Sequence, residues 1–127
     1  MALTLSLLDG VFTIHQLSPD AEIPAPALNS SFFAITRTSD ELTLVLPETV
    51  EIQSDRSNSG WACFKVKGPL EFSQVGILAG ISTTLANAGV SIFALSTFDT
   101  DYILVKREQA QAVSDALKSV GYIIERE

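Results

Sequence analysis

Residues 61–127 alternate between two hydrophobic periods in a fixed order, and that order constrains this chain more than any other feature. Trp61 to Val66 alternates as a strand, with Ala62, Phe64 and Val66 on one face. Val75, Leu78, Ile81, Leu85 and Ala88 then recur at helical spacing, and Gly89 stands where a left-handed residue ends a helix. Ser73 is placed to cap that helix. Val90 to Leu95 and Tyr102 to Val105 read as buried strands. Glu108 to Val120 reads as a second helix with Ala110, Val113, Leu117 and Val120 inward and Gly121 as its stop. Tyr122 to Ile124 closes the series with a fourth strand. Strand–helix–strand–strand–helix–strand in one short chain implies an α+β fold, an antiparallel sheet with both helices on one face.

Residues 1–60 repeat the theme in degraded form. Leu3 to Leu7 and Val11 to Leu17 are two strands flanking Asp9-Gly10, a strong signal for a two-residue hairpin. Pro19, Pro24 and Pro26 leave room for only a short helix, and the second helix shrinks to Glu48–Gln53. Phe32–Arg37 and Leu42–Leu46 are further strands. The polar, periodless run Asp55–Gly60 reads as a linker, so the expected division is 1–60 and 61–127. Periodicity leaves open which half strand 61–66 pairs with.

Charge and composition narrow the chemistry. The net charge is −7, with two basic and eight acidic side chains in residues 1–60 against six and seven in the rest. Nucleic acid is excluded, because its phosphates need clustered Lys and Arg. At 127 residues and 46% apolar the chain can bury a core, yet no run nears the roughly 20 apolar residues that cross a bilayer. No secretory leader is evident, and Cys63 is the only cysteine, which fits a reduced cytoplasmic setting without disulfides. Cys63 itself reads as an inert buried thiol, and Trp61 as a core or interface anchor. His15, the only histidine, projects opposite Ile14 and is expected as a surface or cross-strand residue. Nucleophile elbows, zinc-binding His pairs, phosphate loops and dinucleotide fingerprints are all missing from the sequence, so no enzyme and no cofactor is expected.

The runs Val75-Gly76-Ile77-Leu78-Ala79 and Asn87-Ala88-Gly89-Val90-Ser91-Ile92 carry a resemblance. They resemble the ACT domain, whose first helix opens near a glycine in a Pro-Gly-Val-Leu-Ala-like run and closes as Ala-Gly-Ile-Asn-Ile. Val75 stands where many ACT domains carry proline. The run Ser96 to Val105 is similar to the paired ACT modules of eukaryotic cytosolic arginine sensors and to the regulatory regions of aspartate kinases. The resemblance implies two ferredoxin-like βαββαβ units, the first degenerate. It also implies an amino acid held where two ACT units meet, against the loop before the first helix and the end of the next strand. Here those positions are Glu71, Phe72, Val75, Gly76 and Ile77 on one side and Thr97, Phe98 and Asp101 on the other.

The residue types suit that ligand. The first turn of a helix leaves amides unpaired under a partial positive charge, which suits an α-carboxylate. Gly76 lets a ligand approach the main chain, so Gly76→Val is expected to abolish binding and spare the fold. Thr97 and Phe98 carbonyls with the Asp101 carboxylate suit an α-ammonium. Glu71 can read a cationic side chain and Phe72 or Phe98 can cover its stem, which favours arginine or lysine. Each residue also has a plainer reading: helix packing for Gly76 and Gly80, a solvated loop acid for Glu71, and an Asp-rich turn for Asp99 and Asp101. The expected function is a non-enzymatic amino-acid-binding regulatory domain, a homodimer acting on an unidentified protein. The alternative is a dimerisation module with a vestigial cleft.

Overall fold

The computed structural model describes residues 3–67 and 76–127, which contain eight strands and two α-helices. Two compact units divide the chain, Met1–Asp9 with Ala62–Glu127, and Gly10–Trp61.

The larger unit is built on strands β1 (Thr4–Leu7), the second half of β5 (Arg56–Val66), β6 (Phe93–Ser96), β7 (Asp101–Lys106) and β8 (Ile123–Arg126). β1 lies between β8 and β5, parallel to the first and antiparallel to the second, with Leu5 opposite both Ile124 and Val66. β5 continues to β7, and β7 pairs antiparallel with β6. Helices α1 (Ile77–Asn87) and α2 (Ala110–Ser119) cover one face of this sheet. Their Ile81, Leu85, Val113 and Leu117 share a hydrophobic core with Leu5, Ala62, Phe64, Val66, Ile103 and Val105. Each of the larger side chains among these, once fully buried, contributes about 1.5–3 kcal/mol of transfer free energy.

Both helices stop by the same device. At the end of α1, Gly89 has φ +77°; its N–H donates to the Ala86 carbonyl and that of Val90 to Leu85. At the end of α2, Gly121 and Tyr122 donate to Lys118 and Leu117 in the same pattern. This pairing satisfies carbonyls that the helix leaves open, and it turns Val90 back onto the core. α2 begins later than expected, after a 3₁₀ turn at Arg107–Gln109. Val120, expected inward, caps α2 and is exposed.

The smaller unit contains β2 (Phe12–Leu17), β3 (Ala34–Arg37), β4 (Leu42–Pro47) and the first half of β5. β4 lies antiparallel between β3 and β2, and β2 pairs on its other side with β5. Leu42, Leu44 and Leu46 form its core with Ala27, which comes from a 3₁₀ turn at Ala25–Asn29.

Five expectations are corrected. Asp9-Gly10 closes no hairpin, because β1 pairs with β5 and β8 while β2 pairs with β4 and β5. The first strand therefore belongs to the sheet of the larger unit, and the units interleave along the chain instead of dividing at 60/61. The linker at 55–60 is the start of β5, whose backbone pairs with β2 while its polar side chains face solvent. One extra residue on β5 between Asn58 and Trp61 forms a bulge there. No helix forms at 48–53, where an irregular segment instead rests Val50 and Ile52 on the core. His15 does project opposite Ile14, but onto the core face beside Leu44, and it is 7% exposed.

Candidate functional site

The turn between β6 and β7 is closed by its own polar groups. The Thr97 N–H and hydroxyl donate to the Thr100 carbonyl at 2.8 and 3.2 Å, and the Thr100 N–H donates back to the Thr97 hydroxyl at 3.3 Å. These reciprocal bonds, made by the Thr97 hydroxyl with the Thr100 main chain, are why a threonine at the start of the turn makes a tight, defined loop at a strand end. Thr97 and Phe98 are held outward at its tip, and the Phe98 side chain is 80% exposed.

Asp101 follows at the first position of β7, opposite Ser96. The Ser96 hydroxyl donates to its carboxylate at 2.6 Å, which orients the acid and leaves it further lone pairs. Thr100 points the other way. Its buried hydroxyl donates to the main-chain carbonyl of Val66, the last residue of β5. That bond fastens the turn beside the strand end from which the chain leaves toward α1.

α1 opens at Gly76, whose φ of +81° is a left-handed conformation that a branched side chain resists. A Cβ there would meet open space, so the barrier to substitution is backbone strain and not crowding. Gly76→Val would thus strain the helix start, contrary to the expectation that the fold would be untouched. As the N-cap, Gly76 has no side chain with which to cap the helix, and no acid stands in the first turn. The opening turn, in which Ile77 is half-buried, keeps its electropositive character. The other glycine of this helix has the packing role: a Cβ on Gly80 would sit 3.2 Å from the Tyr122 hydroxyl.

Gly76, Ile77, Thr97, Phe98 and Asp101 are thus placed at a helix start and a strand-end turn of the same unit. Glu71, Phe72 and Val75, and the Ser73 cap, lie outside the described residues. The sequence reading missed Thr100, whose signal was the repeated threonine three residues after Thr97. Cys63 is buried, and desolvation reinforced by the nearby Glu127 charge pushes its thiol up to about 12, so it stays protonated. Among the described residues no group of three or more His, Cys, Asp or Glu is arranged to hold a metal ion. No helix among them is long and apolar enough to cross a membrane.

Known proteins share this family and fold. The ACT domain profile matches residues 56–119, and the profile of an N-terminal domain matches residues 10–51. The chain is 31% identical over 126 residues to the cytosolic arginine sensor for mTORC1 subunit 1 of Rattus norvegicus, covering 92% of this chain and 38% of that protein. It therefore spans well under half the length of that relative. A crystal structure of a protein from Agobacterium tumefaciens is 36% identical, with a TM-score of 0.92 over 100% of this chain and 95% of that one. The regulatory subunit of aspartate kinase from Thermus thermophilus, in its ligand-free form, shares the fold at 14% identity. Its TM-score is 0.64 over 92% of this chain and 97% of that one.

Proposed function

Because this chain belongs to the ACT domain family, we propose that it is a non-enzymatic regulatory module that binds a free amino acid. The ligand lies at the corner between the start of α1 and the β6–β7 turn, where a second ACT unit, supplied by another copy, closes over it. The bond from the Thr100 hydroxyl to Val66 carries this reading, since it fixes an acid-bearing turn at the end of the strand that precedes α1, whose N-cap Gly76 brings no side chain of its own. The α-carboxylate faces the amides of the first helical turn. The α-ammonium faces Asp101 and the turn carbonyls of Thr97 and Phe98. The basic end of arginine or lysine extends toward Glu71, with Phe72 or Phe98 along its stem.

A relative named as a cytosolic arginine sensor supports both the ligand class and a cytoplasmic location. Regulation follows from linkage: a ligand that binds one arrangement of subunits better than another shifts the balance toward it. At a hundredfold excess over Kd the bias is about 2.7 kcal/mol, enough to redirect a contact with a target protein.

A thermal-shift panel of the twenty amino acids tests the reading. A selective rise in Tm is expected, with arginine or lysine leading, and Asp101→Ala should weaken binding about tenfold or more by calorimetry. A flat panel at millimolar ligand overturns it and leaves a dimerisation module.

A further inference from the structure

The Gly10–Trp61 unit has a feature that the amino-acid corner does not use. Its sheet face bears Thr13, His15 and Leu17 on β2, in register with Leu46, Leu44 and Leu42 on β4. No α-helix covers this face, whose leucines pack with Ala27 of the short 3₁₀ turn. The irregular segment 48–53 crosses it instead, held by the N–H groups of Glu48, Val50 and Asp55 on Val11, Pro47 and Gln16 carbonyls. A groove of about 540 Å³ remains, lined by Thr13 and His15 of β2 and by Glu48, Val50, Glu51, Ile52 and Gln53 of the segment. That volume falls in the range of about 300–1,000 Å³ typical of small-molecule sites.

The second observation is the histidine in its wall. His15 is 7% exposed, and its Nδ1 lies 2.9 Å from the Ser54 hydroxyl. Its Nε2 is buried and has no hydrogen-bond partner. Buried polar side-chain atoms are overwhelmingly partnered, and an unmet one costs about 1–3 kcal/mol. The Ser54 contact admits either ring tautomer, and the acids Glu48 and Glu51 in the lining decide for a cationic donor, which selects the tautomer with Nδ1–H on the Ser54 hydroxyl and a lone pair on Nε2. Burial lowers the His15 pKa, which keeps the ring neutral and that lone pair available.

We propose that this groove is a second ligand site, which takes a small organic cation, an alkylammonium or guanidinium on a short aliphatic stem. The cationic head donates an N–H to His15 Nε2 while the Glu48 and Glu51 carboxylates balance its charge. The stem lies along Val50 and Ile52, which are half-buried, and the Thr13 hydroxyl adds a polar contact. A bare divalent ion is the poorer fit, since no three ligating side chains gather here. Segment 48–53 shifts slightly on binding, because Nε2 is shielded without ligand.

His15 is the only histidine in the chain, so its imidazole gives a unique signal. The full chain, labelled with ¹⁵N, is titrated with butylammonium chloride and then with butylguanidinium chloride. At least one should shift the Nε2 resonance saturably, and Glu48→Gln with Glu51→Gln should weaken that response about tenfold or more. Asp101→Ala should leave it unchanged, which separates this groove from the corner near α1. His15→Asn tests the same contact by calorimetry if the variant folds, and the glutamate pair tests it in either case. The proposal is overturned if neither cation moves the resonance, if sodium chloride moves it equally, or if the glutamate pair is without effect. A buried water would then be the partner of Nε2.

Discussion

The two units of this molecule pack antiparallel strands under very different cover. In the unit containing residues 62–127, two amphipathic helices lie on the sheet over a large apolar cluster, with Ser114 of α2 its buried polar exception among the helix residues. In the unit of residues 10–61 the cover is a five-residue 3₁₀ turn and an irregular segment, and one inner face carries Thr13 and His15 beside its leucines. A helix offers a broad apolar stripe, with side chains three and four apart reaching the same surface. An irregular segment offers fewer contacts and seals less. The sheets therefore define the architecture, while the covering elements decide whether an inner face is dry or open to a ligand.

Matched truncations give the largest effects and the most direct way to break this comparison. Leu85 and Leu44 are both 0% exposed, and Leu→Ala removes the same atoms from each. Leu85→Ala, under rigid helices, should cost about 4–5 kcal/mol, and Leu44→Ala, beside a segment able to settle, about 2–3 kcal/mol. Urea unfolding with hydrogen exchange read in each unit measures both. Equal costs would mean that the two covers are equally rigid.

A smaller effect sharpens the same contrast through the helix ends. Gly89→Ala places a side chain at φ +77° and should cost about 1–2 kcal/mol, because a Cβ crowds the following carbonyl in that region. Exchange should speed up in α1 and in the strands it covers before it changes in residues 10–61. A loss spread evenly over both units would show that they unfold together and would erase the distinction.

The better-covered unit was also the more readable from sequence. Helical spacing at Leu78, Ile81 and Leu85 and the stop glycines 89 and 121 are local signals, and the structure follows them closely. Long-range pairing was not legible. Asp9-Gly10 has hairpin chemistry, but the partners of β1 lie near Phe64–Val66 and Ile123–Arg126, over fifty residues away. Residues 56–60 read as a linker because their strand is held by backbone bonds, to which side-chain alternation is blind. At the candidate corner, residue types suggested Thr97, Phe98 and Asp101. The tie from Thr100 to Val66 spans 34 residues and emerges only when β7 is set beside β5. The His15 groove had a fainter trace: alternation groups His15 with Thr13 and Leu17 and not with Ile14, and the strand partner that buries that face is set by register.

The smallest expected effect is a pH dependence confined to the loosely covered unit. Desolvation lowers the His15 pKa in the folded protein from its ordinary 6.5, whereas the unfolded chain keeps that value. Between the two values the unfolded state binds a proton that the folded state refuses, so falling pH favours unfolding. Stability should be level above about pH 6.5, decline as the pH drops below it, and level again below the folded pKa until the carboxylates titrate. No other side chain with an ordinary pKa changes charge across this range, and the Cys63 thiol, near 12, is far from it. Urea midpoints at stepped pH should show the decline in the wild-type chain, and His15→Asn should flatten it. If the decline persists in the variant, its source is not the imidazole, and the contrast between a sealed face and an open one loses its electrostatic signature.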